Sequence, residues 1–187
     1  MEKKLDRIEL RAIEDNGKLI IEGIVNDYNW SKTMTNEDGL RFVEKTPIDT
    51  WKKAMSSKVK LFINHDDCVN VCKSMDLTTT DNGVVIRAEL IEQARGLYEK
   101  IKKGAANSFS FGFRCIKDSW NIINGLAHRT LEEIELFEVS ILTDDEIPAY
   151  NNTSLSTRAL SIPKEIEAEI ERELELMELE LELLKLK

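Results

Sequence analysis

The stretch Ser108-Phe109-Ser110-Phe111-Gly112-Phe113-Arg114 alternates bulky apolar residues with small or polar ones. In an extended strand successive side chains point to opposite faces, so Phe109, Phe111 and Phe113 share one face while Ser108, Ser110, Gly112 and Arg114 share the other. Three phenylalanines mark the first face for burial. The second carries hydroxyls, a position without a side chain and a fixed cation, a combination that solvated sheet faces also use.

The flanking sequence extends this reading. Upstream, residues 92–103 set Ala94, Leu97 and Ile101 at helical spacing, with Lys100, Lys102 and Lys103 in the last turn and Gly104 as the stop. Downstream of an Asn124-Gly125 turn, residues 129–142 read as a long strand. Ile134, Leu136, Glu138, Ser140 and Leu142 are expected on one face, and Phe137, Val139 and Ile141 on the other. Asn16-Gly17 separates two further β-like runs, and Asp81-Asn82-Gly83 separates another two, which are hairpin signals. Antiparallel pairing is therefore the expected theme. Residues 26–44 are polar and read as a long loop with Trp30 and Phe42 as its bulky anchors. Pro47 then opens a short helix over 48–55, and residues 59–65 form an apolar run that ends in Asn64-His65-Asp66-Asp67.

The chain has 187 residues, 42% of them hydrophobic, enough for one domain with a real core and an appendage. A net charge of −9, a pI near 4.9 and the lack of a Lys/Arg cluster exclude a phosphate-backbone binder, so no nucleic-acid partner is expected. No apolar run approaches the roughly 20 residues needed to span a bilayer. The start, Met1-Glu2-Lys3-Lys4-Leu5-Asp6, lacks the apolar core of a signal peptide, and the expectation is a cytoplasmic protein without a membrane partner. Cys68, Cys72 and Cys115 make neither a disulfide framework nor good zinc spacing and are read as reduced thiols. No metal or organic cofactor is implied.

Pro163 opens a tail, 164–187, made almost wholly of Glu, Leu, Ile and Lys. Ile170, Leu174, Met177, Leu181 and Leu184 step by four and three, a heptad seam, and the composition favours helix. Such a tail cannot bury its leucines alone; it needs a partner helix or stays partly disordered.

Three residues at strands or strand ends carry complementary chemistry. A serine hydroxyl is a weak nucleophile until a histidine takes its proton, and the histidine works best when a third group fixes its tautomer. Ser110, His65 and Glu138 are candidates for these roles. The chain holds two histidines, His65 and His128. Spacing alone does not show that the three converge.

Three blocks, Leu61-Phe62-Ile63-Asn64-His65-Asp66, Gly104 to Arg114, and Glu133-Ile134-Glu135-Leu136-Phe137-Glu138-Val139-Ser140, stand in an order that resembles the caudoviral prohead proteases. These are the capsid-maturation serine proteases of tailed phages. The likeness covers about residues 5 to 158. It divides the chain into a protease domain, 1–158, and an acidic Leu/Glu-rich helical tail, 159–187. The family is similar in fold to the herpesvirus assemblins, which implies an α+β domain: an antiparallel β-barrel with surrounding helices.

The resemblance implies that Ser110 is the nucleophile, since it alone has glycine two places on and phenylalanine after that; His65 is the base and Glu138 the acidic member. Assemblins use a second histidine as third member, which keeps His128 as the alternative. Gly112 and Arg114 are candidates for oxyanion support. The implied activity is a serine endopeptidase that processes scaffold and major capsid protein segments, and itself, inside the assembling prohead in the host bacterial cytoplasm. The tail would join scaffold helices or self-associate. The alternative is a non-enzymatic capsid assembly or scaffold factor on the same fold with an idle triad; an unrelated small β domain would make the three blocks coincidence. One departure is Thr143-Asp144-Asp145-Glu146-Ile147-Pro148, where acids stand in a loop that the family keeps short.

Overall fold

A computed structural model describes residues 10–36, 39–55, 58–67, 69–143 and 163–185. Among them the chain forms β1 (Arg11–Asp15), β2 (Lys18–Asn26), β3 (Met34–Thr35), β4 (Arg41–Lys45), α1 (Ile48–Ala54), β5 (Lys60–Ile63), β6 (Cys72–Thr80), β7 (Gly83–Leu90), a 3-10 turn (Glu92–Ala94), α2 (Arg95–Lys102), β8 (Ser108–Ile123), β9 (Leu126–Leu142) and α3 (Lys164–Lys185). Cys68, the acidic loop beyond Thr143 and the boundary at residue 158 lie outside the described residues.

Two of the three Asn-Gly pairs make two-residue hairpin turns. Asn16 and Gly17 have φ of 50° and 79°, and Asn124 and Gly125 have φ of 53° and 70°, the left-handed geometry that asparagine tolerates and glycine adopts freely. The first turn joins β1 to β2, and the second joins β8 to β9, which pair antiparallel from Ser108↔Leu142 to Ile123↔Leu126. The β6–β7 hairpin also forms, with Thr80 opposite Gly83.

The ladders build two sheets, ordered β1-β2-β7-β6 and β3-β4-β9-β5, with β8 on β9 as well. Among the described residues no pairing closes a barrel. The reason lies in β9, which gives one edge to β8 along its length and shares the other between β4 and β5 in series. Both of these run parallel to it, β4 at 127–130 and β5 at 138–141. Pairing is thus mixed rather than wholly antiparallel. The expected loop over 26–44 also contains β3 and most of β4, and Phe42 there is buried in the core.

Helix α1 crosses the gap between β4 and β5. Its Thr50 hydroxyl donates to the carbonyls of Leu131 (2.7 Å) and Glu132 (3.1 Å), groups on the stretch of β9 that neither short strand covers. Trp51 packs edge-on against Phe111, with ring centroids 4.8 Å apart. Its indole N–H donates to Asn26 Oδ1. The two sheets, α1 and α2 enclose one core that includes Ile21, Ile86, Trp51, Tyr98, Phe109 and Val139. At the far end of β9 the guanidinium of Arg129, 4% exposed, binds Glu44 (2.7 Å) and Asp118 (2.6 Å), tying β4, β9 and β8 together.

Helix α3 docks by its first half on the β8–β9 turn. Ile170 is buried, Leu174 and Met177 lie over Gly125, and the Gly125 N–H donates to Glu173 Oε2 at 3.0 Å. Further along the same stripe, Leu181 and Leu184 are exposed. No helix among the described residues is long and apolar enough to cross a membrane.

Candidate active site

The long β8–β9 pair of the second sheet brings the candidate groups to one face. Ser110 of β8 stands directly opposite Ser140 of β9, and Gly112 directly opposite Glu138. Cross-strand partners have Cβ atoms about 5 Å apart, so Ser110, Ser140 and Glu138 are immediate neighbours. The alternation expected from the sequence holds through Gly112 and then breaks. The register slips between Gly112 and Phe113, leaving Phe137 as an extra residue on β9. Phe137 is consequently exposed instead of buried with Val139 and Ile141.

His65 reaches this face from the end of β5. The Asp66 N–H donates to the Ile63 carbonyl at 2.9 Å, closing a four-residue turn whose middle residues, Asn64 (φ 47°) and His65 (φ 61°), are both left-handed. Asn64 holds the turn to the chain beyond β9: its amide donates to Thr143 Oγ1 (2.9 Å) and its carbonyl oxygen accepts from the Thr143 N–H (3.0 Å). A second tie joins the His65 N–H to Ser140 Oγ at 3.1 Å. The imidazole Nδ1 lies 2.5 Å from Glu138 Oε1, and the other carboxylate oxygen accepts from the Ser140 hydroxyl at 2.5 Å. A carboxylate on Nδ1 keeps the proton there, which leaves Nε2 as the basic nitrogen.

The space around the carboxylate is tight. A Cβ added at Gly112 would fall 2.5 Å from Glu138 Oε1 and 2.8 Å from its Cγ, so the missing side chain is the space the carboxylate occupies. Ser110 is fully buried, whereas the His65 side chain keeps 27% of its surface exposed.

The remaining candidates sit elsewhere. Arg114 follows the register slip, is two-thirds exposed and pairs with Glu135. His128 lies ten positions before Glu138 on the same strand, roughly 33 Å away at the usual rise. Its Nδ1–H donates to the Leu126 carbonyl at 2.8 Å, and its ring meets Trp30 edge-on. Two residues of the cluster were given no site role in the sequence although both stand in the family-like blocks: Ser140, read as part of a strand face, and Asn64, whose tolerance of left-handed backbone beside a histidine was the available clue.

An imidazole whose Nδ1 is held by a carboxylate, on the sheet face that also bears a buried serine, has the chemistry to act as a base toward a hydroxyl. The chain belongs to the caudovirus prohead serine protease family, which matches residues 6–166. The prohead protease of Escherichia phage T5 is 26% identical over 140 residues, a stretch that covers 72% of this chain and 63% of that protein. The chain thus spans less than two thirds of the length of that relative. No solved structure matches it.

Proposed function

We propose that this chain is a serine endopeptidase of tailed-phage head maturation, with Ser110 as nucleophile, His65 as general base and Glu138 as the group that orients the base. The observation that carries the reading is the 2.5 Å contact of Glu138 Oε1 with His65 Nδ1, on the sheet face that also bears Ser110, in a member of this family. Nε2 of His65 takes the Ser110 proton as Oγ attacks a peptide carbonyl, and the imidazolium then protonates the leaving amine. The adduct oxyanion needs backbone donors, and the backbone at Gly112 is the candidate for supporting it; Arg114, exposed and paired with Glu135, would have to leave that partner to take part. Glu138, in contact with His65, is preferred over His128 as third member.

The proposed substrates are scaffold and major capsid protein segments and the chain's own segment beyond residue 158, cut inside the assembling prohead. The division into a protease domain and a helical tail belongs to this reading, as does an assemblin-like barrel whose two halves would meet where Gly23 of β2 abuts the Phe109 ring of β8. The acidic tail is read as the attachment to scaffold helices. Co-expression with the capsid protein of the same genome, wild type beside Ser110→Ala, tests the proposal by intact mass. Shortening of the capsid protein or of the tail in the wild type alone is the expected result. Uncut masses in both, repeated in assembled proheads, would leave a non-enzymatic assembly factor.

A further inference from the structure

We propose that Ser140 is a positioning residue of this centre, a hydroxyl that locks the Glu138 carboxylate and the His65 backbone into one geometry. The inference rests on the hydrolase reading given above and names a fourth residue that the reaction depends on.

Three hydrogen bonds form a closed ring: the Ser140 hydroxyl donates to Glu138 Oε2, Glu138 Oε1 accepts from His65 Nδ1, and the His65 N–H donates to Ser140 Oγ. Each bond constrains a different freedom. The first holds the carboxylate by the oxygen not used by the histidine, so the side chain cannot rotate away while keeping one contact. The third fixes the turn tip, where His65 sits at φ 61°, a conformation a non-glycine residue keeps only when its surroundings determine it. Together they aim the imidazole. Only a side chain that donates and accepts from one atom can close this ring, and a hydroxyl does both. Ser140 is fully buried, and so is its partner Ser110 across the strand pair. No solvent competes for its bonds. Its loss would remove one hydrogen bond from the His65 N–H and one from Glu138 Oε2 in a partly buried site.

The test uses the full chain with Ser140→Ala, Ser140→Thr and Ser140→Cys, and a fluorophosphonate that modifies activated serines. Labelling at Ser110 is followed over reagent concentration to separate the maximal rate from half-saturation. In parallel the His65 Nδ1 proton is observed by NMR in a His128→Gln background, where one imidazole remains. Ser140→Ala is expected to lower the maximal rate by about 10- to 1,000-fold, short of the ~10⁴ that losing general-base help altogether can cost, with half-saturation moved by less than about twofold. The Nδ1 proton signal should broaden or vanish. Ser140→Thr, which keeps the hydroxyl, should restore both readouts to within a few fold. Ser140→Cys, close in size but a weak donor, should not.

Wild-type labelling and an intact Nδ1 signal in Ser140→Ala overturn the proposal. So does failure of Ser140→Thr alongside full activity of Ser140→Cys, which would make the position one of packing. If the wild type is never labelled at Ser110 yet its Nδ1 signal is present and lost in Ser140→Ala, the hydrolase reading falls while the ring stands. If Ser140→Ala does not fold, the Thr and Cys variants decide.

Discussion

At the scale of single residues the site is built by exclusion as much as by contact. Gly112 contributes nothing to Glu138 except room, and the room is tight to tenths of an ångström. Gly112→Ala is therefore expected to displace the carboxylate from His65 and to cut Ser110 labelling by at least about 100-fold, the loss that a shift of about 1 Å produces in an aligned site. Thermal unfolding, measured on the same samples, should show a loss of about 1–3 kcal/mol, the usual cost of overpacking, because the carboxylate that must move is only 12% exposed. The competition between Glu138 and His128 is decided by a second pair of variants. Glu138→Gln keeps the shape but no longer dictates the imidazole tautomer, and a fall of roughly 10³–10⁴-fold in cleavage of the capsid protein is expected. His128→Gln, at the opposite end of β9, should leave the rate within about twofold. A large loss in His128→Gln with little change in Glu138→Gln would return the third member to His128.

Among elements, β9 organises the molecule, and its two halves were unequally legible. From Leu142 back to Glu138 the period-2 reading of both long strands is correct, because a face that holds the core cannot slip without exposing every side chain on it. Beyond Gly112 the ladder slips three times, at Gly112/Phe113, Cys115/Lys117 and Lys117/Asp118. Bulges depend on what the strand packs against, which alternation does not encode. The parallel partners β4 and β5 were hidden for a similar reason: each is five residues or fewer, and short runs state neither their neighbour nor their direction.

The charged residues of β4, β8 and β9 gave no sign of the buried cluster they form. Arg129→Ala would strand Glu44 and Asp118 around an empty site, and a loss of about 3–5 kcal/mol is expected, read as a lower urea midpoint at unchanged slope. Glu22 is a milder case. It bridges Arg11 and Arg87 across β1, β2 and β7, all in one row. Burial alone would raise its pKa, but the hydrogen bonds and charges of the two arginines hold it below the ordinary carboxylate value. A depressed folded-state value stabilises the fold above the unfolded pKa of about 4.3 and is lost as the pH falls through the folded one. Glu22→Gln should thus destabilise by no more than about 1 kcal/mol per pair at pH 7, and the gap to wild type should close below about pH 4.

For the whole molecule the question is how α3 is attached. The heptad spacing was readable in sequence, and so was the difficulty of burying it. What could not be read was the receptor, since the β8–β9 turn becomes a surface only once both strands are paired. One stripe of the helix serves two ends. Ile170 is 5% exposed against the hairpin, whereas Leu184, fourteen residues on and about 21 Å further along the axis, is 68% exposed. Positions on one seam should therefore respond differently to the same change. Leu184→Ala removes little buried surface and should leave stability within about 0.5 kcal/mol. Ile170→Ala opens a cavity under the docked half, a change that costs about 2–5 kcal/mol where a side chain must stay in place. Here the helix has another option: it can leave the hairpin, so the cost to the two sheets is capped at the free energy of docking. Amide hydrogen exchange separates the two outcomes. Ile170→Ala is expected to strip protection from α3 and from the Gly125 amide, which donates to Glu173, while β9 between Val139 and Leu142 keeps its wild-type exchange. Loss of protection throughout β9 would instead mean that α3 and the sheets unfold as one unit. The face that bears His65 and Ser110 would then depend on the helix, and the tail removal proposed above would cost the remaining domain its stability.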